Sequence, residues 1–241
     1  MEGLLMVTNK ASLVLAAIVL IVSLFIANSA FAENKSASEI YQQAINDFNK
    51  AIELNPKDAE AYNNRGLAYE YLGNHQQAIN DYNKVIELNP KDAKAYNNRG
   101  IVYEYLGNHQ QAINDFNKAV KLDPKDAEAY NNRGNAYATL GNHQKAINDF
   151  NKSIKLNPKD AMAYNNRGIA YEYLENHQQA INDFNKAIEL NPKYAKAYYN
   201  RGIVYNKLEN SDMAIHNFKK AAQLGYKEAQ QYLNSKAIAW Q

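Results

Sequence analysis

Small and aromatic residues recur along the chain at a helical spacing that restarts every 34 residues. In the first clear copy Tyr62, Gly66 and Tyr69 fall at i, i+4 and i+7, which is one face of an α-helix. A second face of this kind follows with Ala78 and Tyr82. Each period therefore predicts two amphipathic helices.

Residues at the boundaries support two helices per period. Asp58 is a suitable N-cap for the first helix, and Gly73 can supply the left-handed residue that ends it. Asn74 is expected to cap the second helix with Gln77 as capping-box partner, and Pro90 stops that helix. Because the loop between the two helices is short, they are predicted to be antiparallel.

The fixed period is typical of a stacked repeat array, in which each unit packs on its neighbours. The half repeat at residues 33–58 has a second helix without its first, and residues 229–241 are predicted to form a capping helix. Five full copies lie between these ends, at residues 59–92, 93–126, 127–160, 161–194 and 195–228.

This pattern resembles the tetratricopeptide repeat family. The phases that carry the resemblance in the first copy are Tyr62, Gly66, Tyr69, Ala78, Tyr82, Val85 and Pro90. Tyrosine stands where the family often has tryptophan, and an arginine stands where it usually has leucine. The resemblance implies an all-α, right-handed solenoid of stacked antiparallel helix pairs, with the first helices lining a concave groove that binds proteins or peptides.

The segment before the repeats has a different character. Lys10 is followed by an uncharged run over residues 11–32, and Ala30-Phe31-Ala32 precedes Glu33. A positive start, an apolar centre and a small-x-small exit predict a secretory signal peptide over residues 1–32, and hence a secreted or periplasmic protein. The alternative is an uncleaved membrane anchor through residues 11–32, since roughly 20 apolar residues span a bilayer.

Composition narrows the chemistry. The chain has no cysteine, so it has no disulfide, cysteine nucleophile or cysteine metal ligand. Its net charge is +2 with interspersed charges, and it lacks the basic face that nucleic-acid binding requires. No glycine-rich phosphate loop and no serine-nucleophile motif is present. We therefore expect no catalytic residues, no cofactor and no nucleic-acid partner.

Histidines recur once per repeat, which raises the question of a metal site. Neighbouring helix axes lie about 8–10 Å apart, whereas zinc needs its ligand nitrogens about 2.1 Å from one ion. Equivalent residues in successive repeats are separated by a packed helix, so they cannot share an ion. The pattern predicts partly packed structural side chains at His75, His109, His143 and His177.

An arginine in each first helix needs a partner, because an unpaired buried charge is costly. An aspartate column recurs with it, but the half repeat has Asp47 without an arginine and the last repeat has Asn217 at that phase. If each aspartate pairs with the arginine of the following repeat, no aspartate or arginine is left unpaired at either end of the array. The alternative is that the arginines reach water on a groove wall. The predicted inter-repeat ion pairs are Asp47–Arg65, Asp81–Arg99, Asp115–Arg133, Asp149–Arg167 and Asp183–Arg201.

An asparagine pair in each first helix is the best candidate for ligand binding. A side-chain amide offers both a donor and an acceptor, which matches a peptide unit regardless of side chain. The resemblance places the first helices on the groove. Two helical turns after the asparagine pair, the same wall should present a glutamate and a tyrosine. Such a groove should prefer extended or helical peptides with apolar and basic side chains. The candidate groove residues are Asn63, Asn64, Asn97, Asn98, Asn131, Asn132, Asn165, Asn166, Glu70, Tyr71, Glu104, Tyr105, Glu172 and Tyr173.

The sequence thus predicts a non-catalytic scaffold that binds a protein or peptide partner in the groove. Two alternatives stay open: a self-association module that forms a homodimer through the half repeat, and a membrane-anchored scaffold if the N-terminal segment is retained. An RNA-binding helical repeat is disfavoured because the groove is mildly acidic.

Overall fold

A computed structural model describes residues 36–240 of the chain. The segment predicted as a signal peptide or anchor, residues 1–32, lies outside the described residues, as do residues 33–35 of the predicted half repeat. The described part contains twelve helices and no strand. They are α1 (Ala37–Leu54), α2 (Ala59–Tyr71), α3 (His75–Leu88), α4 (Ala93–Tyr105), α5 (His109–Leu122), α6 (Ala127–Thr139), α7 (His143–Leu156), α8 (Ala161–Tyr173), α9 (His177–Leu190), α10 (Ala195–Lys207), α11 (Ser211–Gln223) and α12 (Lys227–Ser235).

The chain divides into two compact units, Met1–Gln42 and Gln43–Gln241. In the described part of the first unit, α1 begins with a reciprocal capping box. The Ser36 amide donates to Glu39 Oε2 at 2.7 Å, and the Glu39 amide donates to Ser36 Oγ at 3.3 Å. These bonds satisfy two of the amides that every helix start leaves without a partner.

In the second unit the helices form five hairpins, α2–α3 to α10–α11, one within each predicted repeat from residues 59–92 to residues 195–228. The prediction for Asp58 is confirmed, because its Oδ1 accepts from the Ala61 amide at 3.1 Å. The prediction for Asn74 is wrong: its side chain makes no capping hydrogen bond at the start of α3. Among these second helices only α11 has a side-chain cap, from Asn210 to the Met213 amide.

The turns between paired helices require a left-handed residue. Gly73 has φ 74°, and the equivalent Glu175 and Glu209 adopt φ 59° and 58°. A side chain at positive φ carries a steric cost of roughly 1–2 kcal/mol. The turns of the last two full repeats therefore keep the same geometry as the others at the expense of local strain.

Each second helix packs against the first helix of its own repeat and against the first helix of the next one, while consecutive first helices also contact each other. The core is correspondingly divided into separate clusters that lie at the junctions between repeats. One such cluster joins Ala78, Ile79 and Tyr82 of α3 to Val102 of α4. Burial between successive hairpins is thus what stacks the array.

Within a hairpin, a glycine allows the two helices to come close together. A Cβ atom placed on Gly66 would lie 2.8 Å from the Tyr82 ring, and one on Gly134 would lie 2.7 Å from the Phe150 ring. Such distances are shorter than van der Waals contact, so only glycine fits there. The small-residue phase of the repeat is explained by this contact.

The array ends with α12, which buries Ala229 and Leu233. The helix ends at Ser235, whereas the predicted capping helix spans residues 229–241. The following residues fold back, with Trp240 Nε1 donating to Asn234 Oδ1 at 3.0 Å. The C-terminal segment thereby covers the apolar face of the last hairpin.

Within residues 36–240, no helix combines the length and the apolar character that crossing a bilayer requires.

Candidate functional site

The arginine of each first helix binds the aspartate of its own repeat. Arg65 Nε and Nη2 donate to the two carboxylate oxygens of Asp81 at 2.8 and 2.6 Å. This corrects the prediction of inter-repeat ion pairs, since each of these aspartates binds the arginine 16 residues before it in the chain, not the one 18 residues after it. The pairs found are Arg65–Asp81, Arg99–Asp115, Arg133–Asp149 and Arg167–Asp183.

The close helix approach explains why the pair forms within the repeat. Arg65 is next to Gly66, and Asp81 is next to Tyr82, so the contact of Gly66 with the Tyr82 ring brings the charges together. Asp81 is buried and its partner guanidinium nearly so. The hydrogen bonds that Arg65 donates to Asp81 raise the pKa of Arg65, while burial acts in the opposite direction. A bidentate pair of this kind is geometrically specific as well as strong.

The link between repeats is made by an asparagine that the sequence interpretation missed. Arg65 Nη1 donates to Asn49 Oδ1 of the preceding second helix at 2.6 Å. The guanidinium also lies over the Tyr62 ring at 5.4 Å and the Tyr69 ring at 5.9 Å. The arginine therefore joins three helices. The same inter-repeat bond is made by Arg99 to Asn83, Arg133 to Asn117, Arg167 to Asn151 and Arg201 to Asn185.

The two ends of this column differ from the middle. Arg201 has no carboxylate partner and donates from Nε to Asn217 Oδ1 at 2.8 Å. Burial lowers the pKa of Arg201. At the other end the Asp47 side chain is 36% exposed and lies 3.9 Å from Lys50 Nζ. The predicted pairs Asp47–Arg65 and Asp183–Arg201 are absent from the described structure.

The asparagine pairs of the first helices form a ladder across repeats. Asn98 Nδ2 donates to Asn63 Oδ1 at 3.2 Å, Asn132 repeats the bond to Asn97, and Asn200 repeats it to Asn165. The first asparagine of each pair is the acceptor. In the second to fourth repeats this acceptor is buried, which corrects its prediction as a groove contact: the buried residues are Asn97, Asn131 and Asn165.

The second asparagine of each pair stays partly accessible. One amide hydrogen of Asn98 is used in the ladder, which fixes the orientation of the side chain and leaves other donor and acceptor positions open. The ladder thus holds a row of oriented amides on the surface formed by successive first helices, which we call the first-helix surface. The amides held in this way include Asn98, Asn132 and Asn166. Among the described residues Asn64 donates no ladder bond, and its Nδ2 is buried without a hydrogen-bond partner.

The predicted tyrosines are the most exposed aromatic residues on this surface. Tyr105 is 71% exposed, and its ring stacks on His75 of the preceding repeat with centroids 5.7 Å apart. Tyr173 stacks in the same way on His143 at 4.6 Å. These histidines therefore support surface tyrosines. Among residues 36–240 no group of three or more histidine, aspartate or glutamate side chains is placed to hold a metal ion.

The three predicted glutamates lie beside the tyrosines but have different partners. Glu70 accepts from the Tyr82 hydroxyl at 3.1 Å, and burial raises the pKa of Glu70 although this bond acts in the opposite direction. Glu104 contacts His109 Nδ1 at 3.1 Å. Glu172 is paired with Lys207 of the next repeat. The glutamate row is thus not a uniform acidic strip.

Small pockets open where the rows meet. One, with a volume of about 330 Å³, is lined by Ile101, Glu104, Tyr105, Phe116, Asn132 and Asn135. Another, at Glu70, Tyr71, Gly73, His75 and Tyr105, occupies the preceding junction. The structure therefore gathers amide, carboxylate and aromatic groups at the junctions between first helices.

Comparison with known structures gives the fold. The chain is 32% identical to a protein described as MamA, with a TM-score of 0.62 over 68% of this chain and 96% of that one. It is 26% identical to YrrB, "a TPR protein with an unusual peptide-binding site", with a TM-score of 0.63 over 79% of this chain and 98% of that one. A comparison with curated protein sequences found no match.

Family comparison covers most of the described residues. Residues 59–92, 93–126, 127–160 and 161–194 match the tetratricopeptide repeat, and so do residues 184–216. Residues 38–73 match a related TPR repeat. With the all-α solenoid of consecutive hairpins, these matches confirm the resemblance seen in the sequence. The chain belongs to the tetratricopeptide repeat family.

Proposed function

We propose that this protein is a non-catalytic scaffold that binds an extended peptide segment of a partner protein along the first-helix surface. The observation that carries the proposal is the asparagine ladder, which orients one partly exposed amide in each of the second to fifth repeats. Amides at a regular interval can hydrogen-bond the backbone of an extended chain whatever its sequence.

The exposed tyrosines supply the apolar part of such an interface. Tyr71, Tyr105 and Tyr173 are each more than three-fifths exposed, which is unusual for so large a side chain. Tyrosine is enriched among residues that dominate binding energy, since it buries a large area with few rotatable bonds. The similarity to YrrB, a TPR protein described as having an unusual peptide-binding site, is consistent with this use.

The test is a selection of random heptapeptides on the full chain in mild detergent, followed by affinity measurement with the selected peptides. Changing Tyr71, Tyr105 and Tyr173 together to serine should weaken binding by at least about tenfold. Because these side chains are exposed, the free energy of unfolding should change by less than about 0.5 kcal/mol per site.

A matched control alters three exposed glutamines on the second helices, Gln77, Gln111 and Gln179, to alanine. This control should bind as the unaltered chain does. Equal affinity for the tyrosine variant and the control would contradict the proposal, as would failure to select any peptide.

Self-association is a second candidate, favoured by the N-terminal edge of the array. Asp47 lacks the arginine that its counterparts bind, and Leu54 at the end of α1 is 88% exposed. A second copy could cover both groups. Light scattering of the full chain should then show a dimer that Leu54→Ser dissociates, and a monomer would contradict this candidate.

A further inference from the structure

The glutamates of the first-helix surface differ in one respect that bears on specificity. Glu70 receives a hydrogen bond from the Tyr82 hydroxyl. At the equivalent positions of the next two glutamate-bearing repeats the second helix has Phe116 and Phe184, which have no hydroxyl. Glu104 and Glu172 therefore need another partner for a partly buried carboxylate.

For Glu172 the protein provides that partner itself. Lys207, from the first helix of the next repeat, places its ammonium group against the Glu172 carboxylate. The Glu172 side chain is only 13% exposed, so the pair is largely shielded from water at the carboxylate end. This pair shows that the junction between two first helices accommodates a lysine beside the glutamate.

For Glu104 the chain provides no cation at the corresponding place. The residue that corresponds to Lys207 is Thr139, and its hydroxyl donates to the Asn135 backbone carbonyl at 3.1 Å. Glu104 contacts His109 Nδ1, and an imidazole carries a positive charge only when it is protonated. A side chain that is 23% exposed is thus left without the ammonium that its counterpart has.

Glu104 lines the pocket of about 330 Å³, which we call the Glu104 pocket, together with Asn135, the residue whose backbone carbonyl accepts from the Thr139 hydroxyl. This volume is at the lower end for ligand sites, roughly 300 Å³ upward, so it suits one side chain. Ile101 and Phe116 give it apolar walls, and Asn132 and Asn135 add amide groups. Asn135 stands where the other four repeats have leucine or isoleucine, so the polar lining is particular to this junction.

We propose that the Glu104 pocket receives a lysine side chain of the bound peptide, with its ammonium beside Glu104 as Lys207 is beside Glu172. The alkyl stem then contacts Ile101 and Phe116. This inference rests on the proposed function, because it assumes a peptide on the first-helix surface. It assigns the third repeat, which has Ala138 and Thr139 in place of glutamate and tyrosine at these phases, the role of opening the specificity pocket.

Lysine fits the pocket better than arginine. His109 Nδ1 contacts Oε1 of Glu104, which leaves Oε2 as the open acceptor. A single oxygen suits a compact ammonium, whereas the arginine fork is matched to both oxygens of a carboxylate.

The experiment uses acetylated and amidated heptapeptides whose central residue is fixed as lysine, arginine, norleucine or glutamate and whose other residues are random. Binding to the full chain should be about tenfold stronger for the lysine set than for the norleucine set. Glu104→Gln should remove this preference. Thr139→Lys should also remove it, because the new side chain can occupy the pocket as Lys207 occupies its own junction.

The matched control is Glu128→Gln, which removes the same charge from an exposed position in the first turn of α6. It should keep the lysine preference. If the four sets bind equally, if arginine is preferred, or if the preference survives Glu104→Gln, the lysine pocket is wrong while peptide binding stands. If no set binds, the proposed function and this inference both fail.

Discussion

Near the middle of each first helix the triplet Asn-Arg-Gly recurs in all five copies, from residues 64–66 to residues 200–202. At the exposed end the residues change, so that Tyr105 is followed one repeat later by Thr139 and two repeats after that by Lys207. Each member of the fixed triplet has a contact that crosses to another helix. Comparing copies within this one chain therefore separates residues that build the array from residues free to vary on its surface.

The largest effect is expected from breaking the buried ion pair. Asp149→Ala leaves Arg133 without its carboxylate and should lower the free energy of unfolding by about 3 kcal/mol. Urea denaturation measures the change. Asp149→Asn should cost only about 1 kcal/mol, since Asn217 shows that an amide can accept the bond from Nε. Equal losses of unfolding free energy for the two variants would contradict this account, because they would show that keeping a hydrogen-bond acceptor for Arg133 makes no difference.

The next effect tests the close helix approach. Gly134→Ala puts a Cβ atom 2.7 Å from the Phe150 ring and should cost about 2 kcal/mol through overpacking. Phe150→Leu in the same chain should recover part of that loss. A neutral Gly134→Ala, measured by thermal unfolding, would mean that the hairpin can open at this point without penalty.

A smaller effect is expected from the asparagine ladder. Asn131→Ala removes the acceptor for Asn166 Nδ2 and should cost about 1 kcal/mol. In a double-mutant cycle with Asn166→Ala, the two losses should add to more than the loss of the double variant. Strict additivity would show that the ladder bond contributes nothing to stability.

The smallest effect concerns the exposed end of the first helices. Burial raises the pKa of Glu70 in the folded state, so the folded protein binds a proton more readily than the unfolded chain. Stability then falls as pH rises above the ordinary carboxyl pKa through the raised value. Glu70→Gln should therefore gain a few tenths of a kcal/mol at pH 7.

The gain from Glu70→Gln should disappear as pH falls through that window, because the unaltered carboxyl is then protonated. Glu128→Gln, which makes the same change at an exposed position, serves as the matched control. Denaturation at several pH values tests both. If the stability gain from Glu70→Gln grew as the pH fell, the conclusion that burial raises the pKa of Glu70 would be wrong.

The sequence predicted the hairpins and their stacking because these follow from local chemistry. Helical spacing, the N-cap at Asp58 and the left-handed turn at Gly73 each act within a few residues, and the 34-residue period multiplied the signal. The resemblance to a known family supplied the arrangement of hairpins. Such features need no knowledge of which side chains meet across helices.

The arginine partner could not be predicted in this way. Two series of residues on the second helices, the aspartates and the asparagines, recur with the arginines and could each supply one partner for every arginine. Asp81 and Asn83 are two residues apart, and both recur with the arginines. The expectation that every arginine has a partner in the preceding repeat is met by the asparagines, since each arginine from Arg65 to Arg201 donates a hydrogen bond to an asparagine of the preceding second helix. The helix approach at Gly66, a three-dimensional property, decides that aspartate binds within the repeat.

The burial of the first asparagine was missed for a similar reason. Asn97 and Asn98 are adjacent on one helix, and only the packing of the next repeat shows which one is covered. The same packing separates Glu104 from Glu172, since their difference lies in residues 35 positions away. Surface chemistry in a repeat array depends on the neighbouring copy.

The central claim is that the first-helix surface holds the peptide. It is tested most directly by following side-chain amide signals in nitrogen-15 NMR during titration with the tightest selected heptapeptide. The account predicts shifts at Asn64, Asn98, Asn132 and Asn166, with the signals of Gln77, Gln111 and Gln179 unchanged. Shifts confined to the glutamines on the second helices would contradict it.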